Sequence, residues 1–392
     1  MTVTADVDAA LLDATRRIAD EVAAANAIDV DREARFPVET ITALREARAL
    51  SALVPAELGG AGASLPAVAA GCFELGRRCG ASGMVFAMHQ IQVACIVDHR
   101  GAGAPWFDDY LRELVAEQRL IASITSEVGT GGDMGKSVAA VSEPDAAGNA
   151  SFVKQAPTVS YGPYADAFLT TVRRSPTAEP GDQVAVLTRR EQMEMEPQGT
   201  WDPLGMRGTC SPGFIAKAEF STDQILPVDF STISAETMTP VSHVLWSHVW
   251  LGIATDAFDR ARAFVKAAAK RKPGEPLPAA IQLSGVMSEL SLLRAEVGLG
   301  LREYCDMRGA DRARLTELAT ILRFNNLKIA ASEQAPKVCQ EALGVCGIVG
   351  YKNDTPFSVG RHLRDAMSAR LMVANERIHT TDASLLLIAK EV

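Results

Sequence analysis

Ile121-Ala122-Ser123-Ile124-Thr125-Ser126-Glu127-Val128-Gly129-Thr130-Gly131-Gly132-Asp133 is the stretch on which the reading of this chain turns. A short apolar run leads into two hydroxyl residues, a glutamate and a cluster of glycines. Two nucleotide-binding readings fail on spacing. Gly132-Asp133-Met134-Gly135-Lys136-Ser137 ends like a phosphate-binding P-loop, but that motif needs a glycine five positions before Gly135, and Thr130 stands there. A GxGxxG fingerprint begun at Gly129 and Gly131 would need a glycine at Met134. Taken alone, the stretch can also be read as a glycine-rich turn joining a helix to a β domain.

The flanks differ in character. Before the stretch the chain is alanine-rich, as in Ala9 to Ala25, and alanine loses no side-chain entropy in a helix. Pro37 opens a helix at Val38. Ser64 is placed to cap another, with Pro66 in its first turn. After the stretch come short β-like runs at 151–154, 167–172, 183–188 and 213–220, punctuated by Gly, Pro, Asp and Asn. No βαβ alternation appears. From about 236 a helical period returns. Leu283, Met287, Leu290, Val297 and Leu301 share one stripe, and Leu315, Leu318, Leu322, Asn325 and Ile329 share another. Asn325 predicts a satisfied amide inside a helix bundle. The expected fold is α+β and mainly α: an N-terminal helical domain (1–119), a central antiparallel β domain (120–232) and a C-terminal four-helix bundle (233–392).

Hydrophobic residues make up 47 % of the 392, enough for a large core. A net charge of −9 argues against a nucleic-acid binder, which needs cations to displace phosphate counterions. No apolar run reaches the roughly 18 residues of a membrane span, and the first residues lack a basic and apolar leader. The seven cysteines form no CxxC pair and no Cys/His grouping with zinc spacing, so reduced thiols in a cytoplasmic protein without a metal are expected.

The stretch resembles the signature of the acyl-CoA dehydrogenase superfamily, in which a hydroxyl residue and Glu, usually Pro, precede Gly-x-Gly-Ser-Asp. Further features resemble that family in the right order: Val54-Pro55-Ala56-Glu57-Leu58-Gly59-Gly60, Val159-Ser160-Tyr161-Gly162, Leu204-Gly205-Met206-Arg207-Gly208-Thr209, Leu251-Gly252-Ile253-Ala254, and Gly347-Ile348-Val349-Gly350-Tyr351 followed by Arg364-Asp365-Ala366. The resemblance implies FAD as cofactor. Thr125, Ser126 and Ser160 would contact the isoalloxazine ring, and Gly131 and Gly132 would let the backbone approach it closely. Arg271, Gln282 and Gly347 would complete a neighbouring subunit's site, implying a homotetramer or at least a homodimer. Gly274, Gly344 and Ile348 depart from the family pattern around the adenine half.

The resemblance also implies α,β-dehydrogenation of an acyl thioester, carried by coenzyme A or a carrier protein, with an unknown electron acceptor. That chemistry needs a desolvated carboxylate to take the α-proton. Counted from Arg364-Asp365-Ala366, the family's Glu-Gly-Thr falls on Val373-Ala374-Asn375, and a second family position for the base falls on Ser242. His243 and Glu376 are the candidate replacements. Two other readings stay open: a flavin-dependent monooxygenase on the same fold, and a non-catalytic acyl-thioester-binding homologue.

Overall fold

The computed structural model describes residues 2–101, 105–271 and 278–389. The chain opens with α1 (Thr2–Ile18), which passes through a π-helical turn at Ala19–Ala23 into α2 (Ala24–Arg32). Next come α3 (Val38–Glu46), α4 (Leu65–Arg78), α5 (Gly80–His99) and α6 (Pro105–Glu117). Pro37 stands at the cap of α3, and Ser64 Oγ accepts from the Ala67 N–H at 3.3 Å to cap α4, as the sequence predicts. α5 is apolar around its whole circumference, the mark of a central helix. It corrects the expectation that no run reaches the length of a membrane span, since it is long and apolar enough to cross one, yet it is buried among its neighbours.

The β region holds six strands: β1 (Ile121–Ile124), β2 (Asn149–Ala156), β3 (Ala167–Arg173), β4 (Gln183–Arg189), β5 (Met193–Gln198) and β6 (Gly213–Ser221). They form two three-stranded sheets, β1-β3-β4 and β2-β6-β5. The four predicted runs became β2, β3, β4 and β6. The expectation of a purely antiparallel domain needs correction, because β1 pairs parallel with β3, Ile121 opposite Ala167. The long connection between them, which carries the glycine loop and the whole of β2, supplies the crossover a parallel pair requires. β5 gives no strand signal in the sequence, because Met193-Glu194-Met195-Glu196-Pro197 lacks β-branched and aromatic residues.

A short helix, α7 (Phe230–Ile233), and a π-helical turn (Ser234–Met238) lead into α8 (Thr239–Arg271), α9 (Pro278–Ala310) and α10 (Leu318–Tyr351). Two short helices, α11 (Gly360–Met367) and α12 (Asn375–Leu386), pack on α10. Leu290 and Val297 of the predicted α9 stripe are buried, but Met287 is 41 % exposed, because α9 lies on the outside of the bundle. Asn325 is the satisfied buried amide expected, donating to Asp382 Oδ1 at 2.6 Å. All seven cysteines are free. Among the described residues no cluster could hold a metal ion.

Buried histidines give the fold an acid weakness. His89 Nδ1 accepts from the Ile121 N–H at 3.0 Å while its Nε2 lies 2.7 Å from Leu50 O, so the ring must be neutral with its proton on Nε2. Burial pushes His89 and His248 down to about 4 and His243 to about 3. The unfolded chain, titrating near 6.5, therefore takes up protons first as the pH falls. Stability is constant in this respect above neutrality and declines from pH 6.5 towards 4, by on the order of 1–2 kcal/mol per histidine at pH 5. Urea unfolding at pH 7.5 and 5 checks this; equal midpoints would overturn it.

Candidate active site

The strand β1 delivers Thr125 and Ser126 to the mouth of a cavity of about 850 Å³. Ser126 Oγ donates to Thr158 O at 2.9 Å, and Ser160, two residues on, lines the same wall. Met84 and Ile91 of α5 and Met238 and Trp246 at the start of the bundle add apolar lining, with Gln92 and Ser242 among them. The segment from Arg364 to Arg377 closes the third side. This volume is at the upper end for small-molecule sites, room enough for a planar tricyclic ring and a second ligand.

Glu127 holds the glycine loop in shape. Its buried carboxylate accepts from Ser137 Oγ (2.6 Å), the Val138 N–H (3.1 Å) and the Ala139 N–H (2.6 Å), clasping both ends of the loop. Lys154, fully buried, stands 3.4 Å from that carboxylate and donates to Thr171 O at 2.6 Å. Burial pushes its ammonium down to about 8, against the pull of Glu127. Inside the loop, Gly132 has φ +78°, and a methyl group built on it would coincide with the Arg377 guanidinium. The Arg377 guanidinium therefore lies directly against this turn of the loop.

Val373, on which the count from Arg364-Asp365-Ala366 places the family's base, lines the cavity, and its side chain cannot accept a proton. Its backbone is left-handed, φ +47°, a costly conformation for a β-branched residue. Lys328 holds the backbone there: Nζ donates to Val373 O at 2.9 Å and to Asn375 Oδ1 at 2.5 Å. Burial lowers Lys328 to about 8.

Thr125, Ser126, Gly132, Ser160 and Glu376 all face this cavity. Glu376 is well exposed at its rim and accepts from Arg370 at 3.5 Å. His243 is corrected: it is 3 % exposed, does not line the cavity, and lies with Nδ1 2.9 Å from Phe324 O. It is a packing histidine of the bundle, and the neighbouring Ser242 reaches the cavity instead. Gly131 is exposed on the far side of the loop turn, with φ +62°. Arg271, at the end of α8, Gln282, in α9, and Gly347, at the kink of α10, are exposed and distant in sequence from every lining residue. Gly274 lies outside the described residues. Arg377, Trp201 and Ser211 also line or overhang the cavity. No spacing in the sequence marked them.

Residues 6–104 match the family described as acyl-CoA dehydrogenase, N-terminal domain. The whole chain superposes on butyryl-CoA dehydrogenase from Megasphaera elsdenii with a TM-score of 0.83 at 18 % identity, covering 97 % of this chain and 98 % of that one. This protein therefore has the fold of the acyl-CoA dehydrogenase superfamily. Within that fold it is also similar to proteins with other chemistry. It is 26 % identical to L-evernosamine nitrososynthase from a Micromonospora species, covering 97 % of this chain and 91 % of the relative. KijD3, solved with FMN and an amino-deoxy-keto sugar nucleotide, matches with a TM-score of 0.83 at 24 % identity, over 98 % of this chain and 95 % of KijD3.

Proposed function

We propose that this protein is a flavin-dependent monooxygenase that oxidises a heteroatom, in the first instance the amine of a small or sugar-type substrate. The carrying observation is Val373: the cavity has room for a flavin and a substrate but holds a hydrocarbon side chain at the position of the family's base. The similarity to a nitrososynthase supports the same reading, since an amine becomes a nitroso group only by gaining oxygen. The cofactor is a flavin. The expectation of FAD widens to FAD or FMN, given the FMN held by KijD3. Thr125, Ser126 and Ser160 would meet the ring edge, and Gly132 with Arg377 would receive its phosphate. The bound flavin supplies two electrons. In the net reaction, substrate, dioxygen and reduced flavin give hydroxylated substrate, water and oxidised flavin. The apolar wall of Met84, Ile91 and Trp246 keeps water from the reacting atoms.

The test mixes holoprotein carrying reduced flavin with dioxygen and a dTDP-amino sugar. Oxygen uptake matched by a hydroxylamine or nitroso product is expected. Oxygen uptake yielding only peroxide with every amine tried would overturn the proposal. A second reading, dehydrogenation of an acyl thioester with Glu376 as base, rests on that carboxylate facing the cavity. It requires acyl-CoA to bleach the oxidised flavin without oxygen. Protein that takes up no flavin would instead favour a non-catalytic acyl-thioester-binding homologue.

A further inference from the structure

The part of the cavity lined by α5 and the start of the bundle holds one open side-chain polar atom. On α5, Met84, Met88 and Ile91 share the lining face. α8 packs against α5 and brings Ser242 and Trp246 to the lining one turn apart, with Met238 one turn before them. Ser242 is only 5 % exposed. Other hydroxyls of α8 turn back to the helix itself: Ser247 Oγ donates to His243 O at 2.5 Å, and Thr255 Oγ1 donates to Leu251 O at 2.7 Å. Ser242 Oγ makes no such bond and has no partner among the described residues. Gln92 turns its amide nitrogen to Met88 O at 3.3 Å and buries its oxygen, and Trp246 Nε1 is buried as well. The charged residues of the lining are Asp133 on the glycine loop and Arg364, Arg370, Glu376 and Arg377 on the closing segment, and none of them is on α5 or α8.

We infer that Ser242 is a substrate-binding residue whose Oγ accepts a hydrogen bond from the N–H of a neutral amine carried on a compact apolar frame. The inference rests on the monooxygenase reading above and names a substrate class for it. A buried hydroxyl among thioether and indole side chains is costly unless something completes its hydrogen bonding. On a surface without a carboxylate, an ammonium would lose its hydration and gain no counter-charge, so the amine binds uncharged. A hydroxyl can also donate, but a proton given to the amine nitrogen would occupy the lone pair that must take up oxygen. Accepting from the N–H leaves that lone pair free. Met84, Met88 and Met238 are unbranched thioethers that adapt to irregular apolar and aromatic surfaces, and Trp246 adds aromatic surface beside them. The favoured substrates are therefore amines with at least one N–H on an aromatic or alicyclic frame. A tertiary amine has the lone pair but nothing to give Ser242.

Aniline and N,N-dimethylaniline test this, because both nitrogens are neutral at pH 7.5 and only aniline carries N–H. Flavin-loaded protein, kept oxidised, is titrated with each while the visible flavin band and the tryptophan fluorescence are followed. Ser242→Ala is expected to weaken aniline binding about tenfold, the worth of one hydrogen bond, and to leave N,N-dimethylaniline unchanged. The variant's thermal midpoint is expected not to fall, since the hydroxyl makes no bond within the protein and alanine is the better helix former. Equal losses for both amines, or no loss for either, would overturn the inference, as would wild-type protein that binds neither. A clear fall in the midpoint would assign the hydroxyl a structural role, and a tenfold loss of flavin affinity would set it against the cofactor; either result overturns the inference. The reading beneath it fails differently. Reduced flavin and dioxygen that yield only peroxide, with aniline and with the dTDP-amino sugar alike, would overturn the monooxygenase reading even where the binding contrast holds.

Discussion

Replacing Lys154 with methionine is expected to destabilise the protein by about 3–5 kcal/mol, because it leaves the Glu127 carboxylate buried without its counter-charge. The side chains of this pair are 0 % and 3 % exposed, so water cannot substitute for the lost ammonium. The Thr171 carbonyl, which accepts from Nζ at 2.6 Å, loses its partner as well. With total stabilities of only about 5–15 kcal/mol in ordinary domains, such a loss brings the folded state near its limit. The glycine loop should suffer first, since Glu127 joins Val128 to Val138 and Ala139. Flavin affinity is thus expected to fall before global unfolding is seen. Lys154→Met combined with Glu127→Gln removes both charges and is expected to recover part of the loss. Urea titrations of the wild type, the single variant and the double variant measure this, and a single-variant loss under about 1 kcal/mol, the scale of an exposed pair, would contradict it.

Gly205→Ala is expected to be the most damaging conservative change in the cavity wall. A methyl group on Gly205 would sit 2.0 Å from Arg364 O and 2.7 Å from Asp365 N. These are backbone atoms and cannot rotate aside. The seam between the 204–206 turn and α11 must open, breaking the bond from the Met206 N–H to Asp365 Oδ1 (2.7 Å) and that from Arg364 to Leu204 O (2.9 Å). Overpacking of this kind costs about 1–3 kcal/mol, and more where backbone must move. Leu204, Gly205, Met206 and Arg364 all line the cavity, so flavin affinity should drop at least about tenfold, the equivalent of one lost hydrogen bond. Gly285→Ala is the control. Gly285 is exposed within α9 with nothing near its Cβ, and alanine there should stabilise by about 0.5–1 kcal/mol. If the two variants melt alike, the close approach at Gly205 carries no weight.

Much of the architecture is legible from local pattern. Pro37 and Ser64 mark helix starts because their backbone and hydrogen-bonding preferences act within one turn. Four strands are marked by β-like composition between turn residues. β1 is legible only as the apolar lead into the glycine loop, and its parallel partner is not, since pairing with β3 is a contact across more than forty positions. Met287 misleads because a helical period reports a repeating face and not what covers it.

The candidate site divides along the same line. Thr125, Ser126, Gly132 and Ser160 lie on short segments whose order resembles a family signature, and they converge on the cavity. Val373 is reached by counting from Arg364-Asp365-Ala366, and the structure places that residue in the cavity wall. His243 cannot be judged that way. Whether an imidazole on a helix faces a cavity or a neighbouring carbonyl depends on the helix's rotation, and here it faces Phe324 O.

The sequence by itself determined the helix–β–helix order, the glycine loop and the missing carboxylate, because these depend on residue type and spacing along one segment. Only the tertiary structure decided that Glu127 and Lys154 clasp that loop, that Arg377 lies over Gly132, and that Ser211 stands within hydrogen-bonding distance of Ser160. Each of those pairs is separated by tens to hundreds of residues. Burial and distance, which set the strength of a charge pair and the direction of a hydrogen bond, exist only once the chain has folded.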